Sequence, residues 1–370
     1  MDFNHSQDRQ LLANTLERYL QQNYSTETRR TIAGSVEGWS PDKWHELCEL
    51  GVIAALVDET HGGLGGTGFD IAAVFEQLGK ALVVEPLLGT LAAVYALSKG
   101  SPQADLMTAV VSGDKVVAWA YEEPQSRYDL TEVEARAEKG PDGWRLSGKK
   151  AVVSQLKAAD YAVVSARISG PAGSETGIGL FLVDLSAQGV RIQDYAVIDG
   201  GRAGDLTVAD TPAKLVVEDG FPIAEEAVAA AIVALSWEAI GVMDRLLNET
   251  IGYLQTRKQF GVPLATFQAL RHRVATMALE IEQARSSAIN AAASLGNPRR
   301  ERERMVSAAK FTIGRVGTII AEEAIQMHGG IGMTRELSVS HYAKRLMMID
   351  HQFGDEDYHL ERFIRLSSPY

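Results

Sequence analysis

Two clusters of residues have types and spacing suited to chemistry. The first is Arg257-Lys258-Gln259-Phe260-Gly261-Val262-Pro263, with Gln268 directly after Phe267. Here a guanidinium can pair with a phosphate in a planar fork, a phenyl ring can pack on another ring, and an amide can meet a polar edge. The same residues suit a cationic helix end, favoured by the macrodipole, followed by a routine turn. The second cluster is Gln326-Met327-His328-Gly329-Gly330-Ile331-Gly332-Met333-Thr334. Its glycines allow positive φ and close approach of bare backbone to a flat or anionic ligand. His328, with no second histidine or carboxylate at ligand spacing, reads as a structural residue, and no metal is expected. The glycine-rich stretch at residues 61–68 lacks the Lys-Ser/Thr of a P-loop and reads as a connection between helices.

The elements that must position these clusters change character along the chain. Residues 1–112 read as helices, with Leu11, Leu12, Leu16, Tyr19 and Leu20 at helical spacing, and Ala72, Ala73, Phe75, Leu78 and Leu82 repeating it. Residues 113–220 switch to short apolar runs such as 116–121, 151–154, 161–164 and 179–183, separated by Pro141-Asp142-Gly143 and Ser169-Gly170-Pro171. No helix between them is long enough for a βαβ crossover, so a β-barrel or sandwich is expected. Residues 221–370 return to helix in four long segments, about 222–256, 265–295, 299–328 and 335–351. Asn297-Pro298 separates the second from the third, and Gly329-Gly330 ends the third. The expected fold is α+β: an N-terminal helical domain, a central β domain and a C-terminal four-helix bundle.

Bulk properties narrow the function. The chain has 370 residues, 46% of them hydrophobic, and a formal charge of −12, which disfavours nucleic acid as a partner. It has no run of roughly 18 consecutive apolar residues that would predict a membrane span. Met1–His5 show no secretory pattern. The single cysteine, Cys48, rules out an intrachain disulfide and reads as packing on a buried helix face. These features together predict a cytoplasmic protein.

The pattern Arg257-x-Gln259-Phe260-Gly261-x-Pro263 with Phe267-Gln268, followed by Gln326-x-His328-Gly329-Gly330-x-Gly332-x-Thr334, resembles the two FAD signatures of acyl-CoA dehydrogenases. Gly62-Gly63-Leu64-Gly65, Glu76-x-x-Gly79 and the run from Trp144 to Lys150 are similar to that family too, so the resemblance covers residues 7–365. It implies that Arg257 and Phe260 contact the FAD pyrophosphate and adenine side across a subunit interface. It places Gln326, Gly329 and Gly330 at the adenosine half of a neighbour's flavin, and Ser154 beside the isoalloxazine ring. The implied reaction is removal of the α-proton of an acyl-CoA by a carboxylate, with the β-hydride passing to flavin N5. The implied partners are an acyl-CoA, an electron-transfer flavoprotein and a tetramer, homomeric or α2β2.

The sequence departs from that family at its base. The usual Tyr-Glu-Gly-Thr is absent, leaving Asp350 at the expected position, Asp355 if there is a short insertion, and Glu238 on the helix before Arg257. Thr-Glu-Pro appears as Tyr121-Glu122-Glu123-Pro124, and the tryptophan-bearing strand as Ala151-Val152-Val153-Ser154, both on the flavin-facing wall. These changes resemble the small subunits of pimeloyl-CoA-type dehydrogenases and the α2β2 enzymes that shorten steroid side chains. Three readings stay open: a self-sufficient dehydrogenase of a bulky, dicarboxylic or steroid-type acyl-CoA, a silent subunit completing a partner's FAD site, and a flavin oxidase or desulfinase.

Overall fold

The computed structural model describes residues 6–101 and 103–368; the N-terminal reading of Met1–His5 lies outside them. Six helices come first: α1 (Gln7–Asn23), α2 (Thr26–Ala33), α3 (Pro41–Glu49), α4 (Gly68–Ala81), α5 (Leu87–Ser98) and α6 (Ala104–Val111). Caps fix several starts: Ser6 accepts from the Arg9 amide, and Ser40 from the Lys43 amide just before Pro41. The glycine-rich stretch is indeed a connection, ended where Asp70 accepts from the Thr67 amide and hydroxyl at 2.9 and 2.5 Å. Cys48 is a buried free thiol, which burial pushes up to about 12.

Seven strands follow: β1 (Val117–Ala120), β2 (Arg136–Gly140), β3 (Gly143–Ser154), β4 (Tyr161–Arg167), β5 (Ile178–Asp184), β6 (Val190–Ala196) and β7 (Arg202–Val217). β4 pairs with β2, β2 with β3, β3 with β7, β7 with β5, and β5 with β4 again. That ring is closed, so these five strands leave no free edge among themselves. β1 lies parallel to β4 and β6 antiparallel to β7. The interior is small-residue packing, with Ala118, Ala120, Ala162 and Ala166 against Leu146, Phe181 and Leu206. Narrow barrels need such residues because there is little room inside.

A buried charge pair locks the start of this ring. Lys150 Nζ, 1% exposed, donates to Glu123 Oε1 at 2.7 Å, Ser165 Oγ at 2.9 Å and the Tyr121 carbonyl at 3.0 Å. Glu123 in turn accepts from the Glu134 and Ala135 amides at 2.9 and 3.1 Å. Burial pushes Lys150 down to about 8, while the ammonium holds Glu123 low against its own burial.

The chain continues through α7 (Gly220–Thr256), a hairpin of β8 (Lys258–Gln259) and β9 (Val262–Pro263), α8 (Gln268–Ser294), α9 (Arg299–His328), α10 (Val339–His351) and α11 (Glu356–Ser367). The four long helices are where the apolar spacing put them, and α11 is an addition. α7 is long and apolar enough to cross a membrane, but 94% of its most apolar window is buried inside the protein, as in a core helix. By internal contacts the chain divides into two units, residues 1–29, 71–83 and 232–370, and residues 30–70 and 84–231. In the first, α4 and α7 touch through backbone: a Cβ on Gly79 would lie 2.1 Å from the Glu238 carbonyl oxygen, and one on Gly241 2.1 Å from that of Glu76. Only glycine permits that approach at both crossings.

Removing one member of the barrel's buried pair should leave the other charge stranded. Glu123→Gln or Lys150→Met is expected to cost about 3–5 kcal/mol in denaturant unfolding. A loss below 1 kcal/mol in both variants would show that the pair does not hold the β1–β2 connection.

Candidate functional site

Both glycine-bearing motifs sit at the ends of long helices in the same unit. α7 stops at Thr256, and the chain folds back through a tight hairpin in which Phe260 and Gly261 both take left-handed φ, +55° and +83°. Two positive φ values are the requirement of a type I′ turn, and Gly261 supplies one at no cost. The Leu264 amide closes the loop on the Arg257 carbonyl at 2.8 Å. α9 stops at His328, where Gly329 turns the backbone at φ +67°.

A ring stack brings the two ends together. Tyr253, in the last turn of α7, stacks on His328 with centroids 4.4 Å apart and donates to the His328 carbonyl at 3.3 Å. His328 Nδ1 bonds the Ala324 carbonyl at 2.8 Å. His328 is therefore a satisfied core residue that registers one motif on the other.

What this end of the unit presents is open. Arg257, Gln259, Gln268, Gln326, Gly329 and Gly330 are exposed, and among the described residues nothing beyond the local backbone lies within 4 Å of a Cβ built on Gly261, Gly329 or Gly330. Phe260 is 91% exposed, its ring edge-on to that of Phe267 with centroids 6.2 Å apart. Burying such a ring is worth about 1.5–3 kcal/mol, none of it realised within the chain. Exposed guanidinium, bare glycine backbone and an uncovered phenyl ring fit a ligand with phosphates and a flat ring.

The three carboxylates are separated by what they do. Glu238, on α7 and 7% exposed, is held by Arg345 of α10 in a two-pronged pair, Nε to Oε1 at 2.5 Å and Nη2 to Oε2 at 2.7 Å. Arg345 also donates to Gln352 at 2.9 Å. Asp355 caps α11, accepting from the Tyr358 amide at 2.9 Å. Asp350 turns its Oδ1 against α9, 2.1 Å from where a Cβ on Gly314 would stand. That oxygen is buried with no hydrogen-bond donor among the described residues. Lys310, buried and pushed down to about 8 by that burial, donates to the Asp350 and Gly354 carbonyls at 2.7 and 2.6 Å. Arg345 and Lys310 escaped the sequence reading because nothing local marks a cation whose partner lies on another helix. Ser154 belongs to the other unit, half-buried at the end of β3 and paired with Ala203 of β7.

Family models match nearly the whole chain. The N-terminal, middle and C-terminal domains of acyl-CoA dehydrogenase match residues 6–104, 118–210 and 218–365. The chain belongs to the acyl-CoA dehydrogenase family. It is thus an oxidoreductase of a flavoprotein family that uses FAD and acts on acyl-CoA thioesters, as the two motifs implied. The acyl-CoA dehydrogenase IpdE2 of Mycolicibacterium smegmatis is 28% identical over 92% of both chains. The 3-sulfinopropanoyl-CoA desulfinase of Paraburkholderia xenovorans is also 28% identical, over 82% of this chain and 83% of its own. Among solved structures, the Tcur3481–Tcur3483 steroid acyl-CoA dehydrogenase is similar over 97% of both chains, with a TM-score of 0.88 and 28% identity.

The Glu238–Arg345 pair should behave as one unit. In a double-mutant cycle with Glu238→Gln and Arg345→Gln, each single change is expected to cost about 3–5 kcal/mol, and the double change far less than the sum. Additive losses would show that the two side chains act independently.

Proposed function

We propose that this chain is one subunit of a heteromeric FAD-dependent acyl-CoA dehydrogenase, and that a related partner chain supplies the base for the α-proton. The observation that carries this reading is the state of the three carboxylates. Glu238 is neutralised by Arg345, Asp355 is spent as a helix cap, and Asp350 is turned against Gly314. A general base must reach the proton it removes within hydrogen-bond distance, with its lone pair free.

In this reading the chain's own residues bind and orient. Arg257 pairs with the pyrophosphate, the Phe260 ring covers the adenine side, and Gln259, Gln268 and Gln326 offer amides to polar edges. The backbone at Gly329 and Gly330 admits the adenosine half closely because no side chain intervenes. Ser154 places its hydroxyl beside the isoalloxazine. FAD, when bound, accepts the β-hydride, and the protein's part is to position, exclude water and polarise the thioester carbonyl.

The acyl chain is proposed to be bulky, of steroid or dicarboxylic type, the steroid reading being supported by the similar Tcur3481–Tcur3483 steroid enzyme. An electron-transfer flavoprotein is the proposed acceptor, in keeping with the similar caffeyl-CoA reductase–Etf complex subunit CarC of Acetobacterium woodii, 27% identical over 80% of this chain. A cytoplasmic α2β2 tetramer is the proposed setting. One observation favours the alternative of a chain with its own base: Asp350 Oδ1 lacks a donor and so keeps a free lone pair.

The visible spectrum and the mass, measured on the same sample, test the assembly. The chain alone is expected to be colourless or weakly loaded, and to hold flavin stoichiometrically with its partner. Arg257→Ala in that complex should weaken FAD binding at least tenfold, since a charge-assisted hydrogen bond is worth about 1.5–3 kcal/mol. Asp350→Asn, Asp355→Asn and Glu238→Gln should each leave turnover per flavin within a few-fold. A flavin-loaded homo-oligomer bleached by an acyl-CoA, or one amide variant that binds flavin but no longer turns over, would place the base in this chain.

A further inference from the structure

The turn between α10 and α11 is held from within by two buried basic side chains. Residues 352–355 reverse the chain with Phe353 at φ +58° and Gly354 at +113°. A phenylalanine in the left-handed region is strained, and such backbone persists only where its surroundings fix it. Lys310 of α9 donates to the Asp350 and Gly354 carbonyls, on either side of Phe353. His359 of α11 donates through Nε2 to the Phe353 carbonyl itself, at 3.0 Å. A side chain at position 354 has no room, since a Cβ there would lie 2.6 Å from His359 Nε2. On the turn's other side Gln352 accepts from Arg345, the arginine that holds Glu238.

The His359 ring is 1% exposed and has one nitrogen to spare. A carbonyl only accepts, so Nε2 carries the ring hydrogen and Nδ1 is the bare nitrogen. Nδ1 is buried with no hydrogen-bond partner among the described residues. A second proton there would be a buried donor without an acceptor, on a ring that already feels the Lys310 charge. Swapping tautomers is no escape, because it removes the hydrogen that holds Phe353. The other titratable groups around the ring are Asp355, Tyr358 and Arg362 of its own helix, Glu303 of α9, paired with Arg362 at 2.7 Å, and Asp350 at the end of α10.

We propose that His359 is a proton-operated latch: its neutral ring closes the α10–α11 turn, and a second proton on the ring opens it and frees Gln352 from Arg345. The latch stands apart from the flavin reading and needs no cofactor. Burial, with the Lys310 charge added to it, pushes His359 down to about 3 from the ordinary 6.5. Proton uptake therefore favours the open turn, where the ring is solvated. The closed turn is at full strength above the ordinary histidine value and weakens as pH falls from there toward 3. Lys310 is shifted the same way, but its proton is in question only between about 8 and its ordinary 10.5, outside this window.

The test is amide hydrogen exchange of the full chain in its own assembly, read by peptide from pH 7 to pH 4 and corrected for the intrinsic rate. Protection of residues 351–358 is expected to fall about tenfold per pH unit between pH 6 and pH 4, while that of α8 holds. His359→Gln, which keeps an N–H for Phe353 and cannot titrate, should show turn protection that is flat over the same range. A flat wild-type profile, an equal fall in His359→Gln, or loss of α8 and the turn together would overturn the latch. If the variant does not fold, the nitrogen-15 shifts of the wild-type ring decide. His359 is expected to stay neutral, with its hydrogen on Nε2, at pH 5.5, where a histidine in water is charged. A charged His359 in a turn that is still protected would overturn the proposal.

Discussion

The backbone contact between α4 and α7 is the constraint on which the C-terminal unit depends. Gly79 and Gly241 each face the other helix's carbonyl oxygens closely enough that one added methyl group would overlap them. α7 is 37 residues long, so a tilt at this crossing would be magnified along its length. Its register decides whether Glu238 meets Arg345 on α10 and whether Tyr253 meets His328 on α9. Arg285 of α8 adds a third tie at the same crossing, bonding Glu76 at 3.2 Å and Asp244 at 2.6 Å. The glycines set the distance between helices, and the charged and aromatic pairs set their rotation.

Much of this was legible in the sequence because its causes are local. Pro298 and Gly329 end or begin helices by their own backbone chemistry, and α9 runs between them from Arg299 to His328. The motif Glu76-x-x-Gly79 was visible as a resemblance, and the structure supplies its physical reason in the α7 crossing. β7 was not legible. It is 16 residues long and contains Gly204, Asp210 and Pro212, residues that usually mark turns, yet it pairs in succession with β3, β6 and β5. Its strand character comes from partners distant in sequence, which propensity does not carry.

α11 was hidden for a related reason. Asp355-Glu356-Asp357 reads as an acidic loop near the family's base position, and the eye goes to chemistry. In the structure the same acids are the helix's own start signal, a cap followed by carboxylates in the first turn. A carboxylate's identity says little until its donors are known. The three candidates from the sequence have three different sets, and two of those sets account for the residue without any catalytic role.

The open end of the unit completes the argument by contrast. In a chain with net charge −12, Arg245, Arg273, Arg285, Arg302, Arg315, Arg345 and Arg362 of this unit each pair with a carboxylate. Arg257 has no such partner among the described residues, and stands beside the most exposed of the large apolar side chains, Phe260. Arg271, Arg304, Arg335 and Arg365 of the unit likewise show no carboxylate partner among the described residues, so what sets Arg257 apart is the uncovered ring beside it. An anionic cofactor with a flat base offsets both deficits at once, and a second subunit is what would keep water from that ring. The exposed ring and cation at this end, and the two candidate carboxylates already engaged by other groups, are what the proposed assembly would complete.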